Sequence, residues 1–170
     1  SYIQTTPILR WKASERWRLL GELPLAETTN LCSAQSFPKV GSSKMKMFLQ
    51  QWESSPQRLS ALLTKYSPYS LVIPKTAAYY IAAYPIEMDR TQQTTLYLKS
   101  KKDQDFAMVL LNSNAFFWFW RVYGDSFHVT SGLVSSCPIF SQVDNDFLQI
   151  ASDLYSACLL YTSPSPTRPY

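Results

Sequence analysis

Apolar residues recur at two different spacings along this chain, and the change-over falls near residue 70. Before it, the spacing is mostly helical. Residues Tyr2 to Trp11 read as extended, broken at Pro7, and Lys12 to Leu20 (KASERWRLL) predicts one short helix ended by Gly21. A polar loop spans Glu27 to Ser36, and Phe37-Pro38-Lys39-Val40-Gly41 predicts a turn. Ser43 to Trp52 is amphipathic, with Met45, Phe48, Leu49 and Trp52 on one helical face. Pro56 to Leu63 predicts a second short helix with a stripe of Leu59, Leu62 and Leu63. After residue 70 the pattern turns to strands: Ser70 to Pro74 (SLVIP), Ala78 to Ala83 (AYYIAA) and the alternating Thr94 to Ser100 (TTLYLKS). Ser100 with Asp103 forms a capping pair that opens a helix expected to run from Lys101 to about Tyr123, with Gly124 as the residue after its end. Ser126 to Thr130 suggests a short strand, and Asn145 to Ala157 a final amphipathic helix. The class implied is mixed α/β (α+β): a small mixed sheet packed by a long aromatic helix and several short helices, without repeats.

Composition narrows this picture. The chain has 170 residues, 46% hydrophobic and only 16% charged, which suits one domain whose surface is partly covered by something else. Its opening residues, SYIQTTPILRWK, contain no signal-peptide core, and no apolar run approaches the ~20 residues of a membrane span. No membrane partner is therefore expected. Cys32, Cys137 and Cys158 are an odd, widely spaced set without CxxC, arguing against a zinc site or disulfide framework and for a reducing cytoplasm. The net charge of +4 is uneven: residues 1–75 hold ten Lys/Arg against four Asp/Glu, and residues 76–170 hold six against eight. A basic half fits a polyanionic partner such as nucleic acid, and equally fits ordinary solubilising charge. Cys158 to Pro166 (CLLYTSPSP) resembles a translated transposase-type sequencing adapter, so residues 158–170 are expected to be a disordered tail outside the domain of residues 1–157.

No motif for dinucleotides, phosphate loops, zinc peptidases or serine hydrolases is present. A Ser-His-Asp arrangement would have to use His128, the only histidine, with Asp125 beside it and Ser126, Ser131 or Cys137 as nucleophile; a structural hydrogen bond between Asp125 and His128 is the simpler alternative. Carboxylates are too scattered to name an acid/base pair. The segment NAFFWFWRVYGDSFHVT concentrates aromatic bulk, with Phe116, Phe119, Trp120 and Tyr123 on one helical face and Phe117 and Trp118 pointing elsewhere. Such a helix is either buried on most of its circumference or offers one ring, with Arg121, to stack on a base. Arg121 could also anchor Asp125. Basic groups alternate with aromatics and turns at Arg10-Trp11-Lys12, at Lys39 and at Lys75-Thr76 before Tyr79 and Tyr80, a chemistry suited to phosphates and base edges.

The ordered pieces TPILRWK, FPKVG, SLVIPKTAAYYIAA and TLYLKSKKDQDFAMVLLNSNAFFWFWRVYGDSFHVT, covering about residues 5–157, resemble the C-terminal target-recognition region of adenine-N6 DNA methyltransferases of type II restriction–modification systems, including the fused type IIG form. The segment from Asn112 to His128 carries most of that resemblance. The family's catalytic domain has an NPPY-type motif and an S-adenosylmethionine pocket, and this chain has neither motif. The resemblance therefore implies a sequence-specific module that reads double-stranded DNA, a fragment without its methyltransferase domain, needing no cofactor itself. S-adenosylmethionine is implied for the catalytic domain of the same polypeptide, which would flip the target adenine out of the stack. Arg10, Lys12, Lys39 and Lys75 are the expected backbone contacts, and Thr76, Tyr79, Tyr80 and His128 the expected base or sugar contacts. The alternative from another class is a protein-interaction domain docking a partner through its aromatic helix, which requires an apolar patch at Trp118 and Trp120.

Overall fold

A computed structural model describes residues 2–9, 12–31, 36–85 and 92–139, together with Ile150 and Asp153. The architecture is α+β, with two small sheets that are antiparallel throughout. The N-terminal pair is β1 (Gln4–Thr5) with β2 (Ala26–Glu27), and between them a 3-10 turn over Ala13–Glu15 leads into α1 (Arg16–Leu20). Then come α2 (Ser43–Glu53), a 3-10 turn over Leu59–Leu62, and the strands β3 (Leu63–Thr64), β4 (Ser70–Pro74) and β5 (Gln93–Leu98). β5 is central, pairing with β3 on one side and with β4 on the other, in the register Leu71↔Leu96 and Ile73↔Thr94. Three helices follow β5: α3 (Lys101–Leu111), α4 (Asn114–Tyr123) and α5 (Ser131–Ser136). The helix expected at Asn145–Ala157 lies outside the described residues, apart from Ile150 and Asp153, which are helical. The adapter-like tail lies outside them altogether.

Two expectations fail for one shared reason. The single helix from Lys101 to Tyr123 is two helices, broken at Asn112–Ser113. Ser113 turns extended and caps α4, its Oγ accepting from the Phe116 N–H at 3.1 Å, while Ser100 caps α3 in the same way through Asp103. Side chains of this kind compete with the helical ladder and favour caps. Asn112 ends α3 by reaching away from it. Its Nδ2 donates to the carbonyls of Ala83 (3.0 Å) and Met108 (2.8 Å), and its Oδ1 accepts from the Ala83 N–H (3.2 Å). Residues Ala78 to Ala83, expected as a strand, form no strand either. Ile81 and Ala83 are buried, but the Ala83 backbone is satisfied by the Asn112 amide rather than by a neighbouring strand. Only Tyr84 exchanges backbone bonds with Val72, at 2.7 and 2.9 Å, along the outer edge of β4.

The break lets α4 insert into the core. Phe116 and Trp120 are fully buried, as are Leu59, Leu71, Ile73 and Leu98 from the 3-10 turn and the sheet around them. Phe117 and Trp118 are half-buried; Trp118 stacks on Trp52 (6.3 Å between ring centroids) and is covered edge-on by Phe48. The aromatic helix is thus largely scaffold. A smaller cluster of Ala26, Val40, Leu49 and Val122 joins the N-terminal hairpin and α2 to its other side.

Candidate nucleic-acid interface

The turn after α4 is where the site begins. Gly124 follows the helix in an extended conformation (φ −80°), so its role is space rather than a left-handed backbone. A Cβ there would lie 2.6 Å from the Trp120 carbonyl oxygen and 3.2 Å from Leu133. Lys39 closes the helix end: its Nζ donates to the carbonyls of Gly124 (2.9 Å) and Val122 (3.3 Å), and its backbone N–H also donates to Val122. A cation at a helix C-terminus is favourably placed. Burial nevertheless pushes the Lys39 ammonium below its ordinary pKa, an effect that nearby Asp125 opposes.

Asp125 organises the turn. Its Oδ1 accepts from the backbone N–H groups of Phe127 (2.9 Å) and His128 (2.7 Å), and its Oδ2 pairs with His128 Nδ1 at 2.5 Å. The His128 hydrogen bond, reinforced by the two backbone donors, holds the Asp125 carboxyl down at about 2. Ser126 sits between them at φ 65°, the one positive-φ residue other than glycine among the described residues. The expected strand at Ser126–Thr130 is reduced to one bridge. The Val129 N–H donates to the Lys75 carbonyl and the Ala77 N–H to the Phe127 carbonyl, both at 2.8 Å, so that Thr76 and His128 stand opposite each other. This is the non-hydrogen-bonded type of antiparallel pair, in which facing residues approach most closely. Trp120 locks the arrangement to the core, its Nε1–H donating to the His128 carbonyl at 2.7 Å.

The structure therefore brings together residues that are distant in sequence. Lys75, Thr76 and His128 share one exposed junction, and Tyr79 and Tyr80 follow in the same loop, 83% and 71% exposed. Lys39 lies behind the turn with its ammonium committed to the helix end. Lys12 is exposed and precedes the 3-10 turn before α1, away from this junction in sequence, and Arg10 lies outside the described residues. Phe127, outside the set of expected contacts, is 56% exposed at the tip of the turn, with its ring edge-on to that of His128. Its only sequence signal is position: one aromatic beyond the helix end and past Gly124, where the helical spacing no longer applies.

Other chemistries find less here. Asp125 pairs with His128, and among the described residues Arg121 forms no ion pair with it. Cys137 is buried, with its thiol pushed up to about 12, and the Ser126 hydroxyl is buried without a hydrogen-bond partner. Neither is a nucleophile presented to His128. Among the described residues no group of three or more His, Cys, Asp or Glu could hold a metal ion, and no helix is long and apolar enough to cross a membrane. An open cleft of about 310 Å³ beside His128 is lined by Tyr123, Asp125 and Thr130, and a second, of about 640 Å³, is lined by Glu53, Arg58 and Ser136. The apolar patch required for docking through the aromatic helix would need Trp120, which is completely buried. A scan against protein-family models finds no match, and searches of curated proteins and of solved structures find none either.

Proposed function

We propose that this chain is a DNA target-recognition module working beside a separate adenine-N6 methyltransferase domain. One observation carries the reading. The bridge between Thr76 and His128 sets a hydroxyl opposite an imidazole, and the exposed Lys75, Tyr79 and Tyr80 belong to the same loop as Thr76. Lys75 suits phosphate oxygens and fixes register, while Thr76, His128, Tyr79 and Tyr80 offer donors, acceptors and ring faces to base edges and sugars. Lys12, on the N-terminal segment, is a further backbone contact. The Asp125 pair fixes the His128 ring, so its free edge is oriented before DNA arrives.

The junction is an open surface, not an enclosed pocket that buries most of a small ligand. It does not fit S-adenosylmethionine, whose seat the resemblance assigns to the catalytic domain. The chain's own part is to bind duplex DNA and hold it in register while base flipping and methyl transfer proceed elsewhere.

Fluorescence anisotropy of the 170-residue chain on a panel of mixed-sequence duplexes tests the proposal. Affinity should fall steeply with salt, with a log–log slope of about −0.9 per neutralised phosphate, and should differ between duplexes. Binding that ignores salt, or no binding to any duplex, would refute it.

A further inference from the structure

We infer that Phe127 is a wedge that enters a base step of bound duplex DNA; this rests on the reading of the Thr76–His128 junction as a DNA-binding face. The aromatics of α4 that precede Phe127 are buried or half-buried. Phe127 alone is carried past the helix end and left 56% exposed. The backbone that exposes it is held on every side. Asp125 takes its N–H, Ala77 donates to its carbonyl, and the preceding residue, Ser126, is kept at φ 65°. A serine in that left-handed region persists only where surrounding contacts determine it, and such strain concentrates at functional sites.

The side chain is braced as well. The Phe127 and His128 rings lie 4.9 Å apart at 88°, and His128 is itself fixed by Asp125. The ring thus has one ring contact, with His128, and leaves more than half of its surface exposed, which is the surface that unstacking a base step uses. Inserted apolar side chains kink duplexes in this manner. Charge selects the occupant. Exposed Lys75 lies across the bridge from this turn, a cation within the same junction that suits a phosphate backbone. The steps that open most readily are pyrimidine–purine steps, TA and CA/TG, and these are the preferred entry points.

Duplexes carrying 2-aminopurine at single pyrimidine–purine steps test this with the 170-residue chain, anisotropy being measured in parallel. Binding should raise 2-aminopurine emission at one step. Phe127→Ala should abolish the rise and weaken binding by about 5- to 150-fold, the range for losing one aromatic–base contact, whereas Phe127→Trp should keep both. Because the ring is exposed, Phe127→Ala should retain the native tryptophan emission, which checks its fold. Wild-type affinity and an undiminished rise in Phe127→Ala would overturn the wedge. So would salt-dependent binding by the wild-type chain without a rise at any step, a result that leaves the DNA-binding reading standing. Absence of duplex binding by anisotropy would overturn both.

Discussion

Replacing Asn112 by alanine should cost about 3 kcal/mol of stability, although the residue touches no proposed ligand contact. Its amide makes three hydrogen bonds, two to the backbone of Ala83 and one to Met108, each worth about 0.5–1.5 kcal/mol net. Ala83 is fully buried, so its N–H and carbonyl cannot turn to water once the amide is gone, which keeps the cost at no less than about 1 kcal/mol per bond. Against a total stability of about 5–15 kcal/mol the variant still folds. Urea denaturation followed by tryptophan emission suits the question, because Trp52 and Trp120 are buried. With a denaturant slope of about 2 kcal/mol per molar, the midpoint should fall by roughly 1.5 M at unchanged slope. Asn112→Asp should lose at least as much at neutral pH, because it retains the acceptor for the Ala83 N–H but sets carboxylate oxygen against two carbonyls. A midpoint shift below about 0.5 M for Asn112→Ala would show that this amide does not hold residues 81–84 to α3, and the explanation of the broken helix would fail with it.

Three further outcomes follow from the turn and the core. Lys39→Met should cost about 1 kcal/mol in the same assay, since losing the bonds to the Val122 and Gly124 carbonyls is partly offset by removing a desolvated charge; it should leave the salt slope of DNA binding unchanged, and a shallower slope would make Lys39 a phosphate contact after all. The Asp125 carboxyl, held at about 2, has a folded pKa below its ordinary value near 4, so its contribution is complete above that value and is lost as pH falls towards 2; the stability difference between wild type and Asp125→Asn should shrink over that window, and a difference constant from pH 5 to 2 would contradict the pairing. Cys137, with its thiol raised to about 12 by burial, should not react with a thiol reagent in the native state of a Cys32→Ser/Cys158→Ser background, and should react on unfolding; the raised value also predicts stability lost as pH rises from about 9 towards 12.

What could be read from the sequence was local. The amphipathic helix after Ser42, the Ser100–Asp103 cap and strands β4 and β5 follow from spacing and side-chain chemistry within a few residues. The helix break was misread because the polar triplet Asn112-Ser113-Asn114 lies inside an apolar run, and its meaning depends on Ala83, 29 positions earlier. The alternation of Ala78 to Ala83 signalled burial correctly and pairing wrongly, because a side chain satisfies that backbone. The proposed DNA-binding face is harder still. Its bridge joins Thr76 to His128 across the whole of β5, α3 and α4, and no local pattern specifies such a pairing. Lys39 resembled any other loop lysine until the helix end it caps was in view.

The proposed DNA-binding face depends most on Lys75, the exposed cation at the junction. The direct measurement is the salt dependence of duplex binding for Lys75→Gln beside Lys102→Gln, an exposed lysine on α3 outside the junction. Lys75→Gln should weaken binding across all sequences and make the slope shallower by about 1, while Lys102→Gln should leave both unchanged. Equal slopes for Lys75→Gln and the wild-type chain would contradict it.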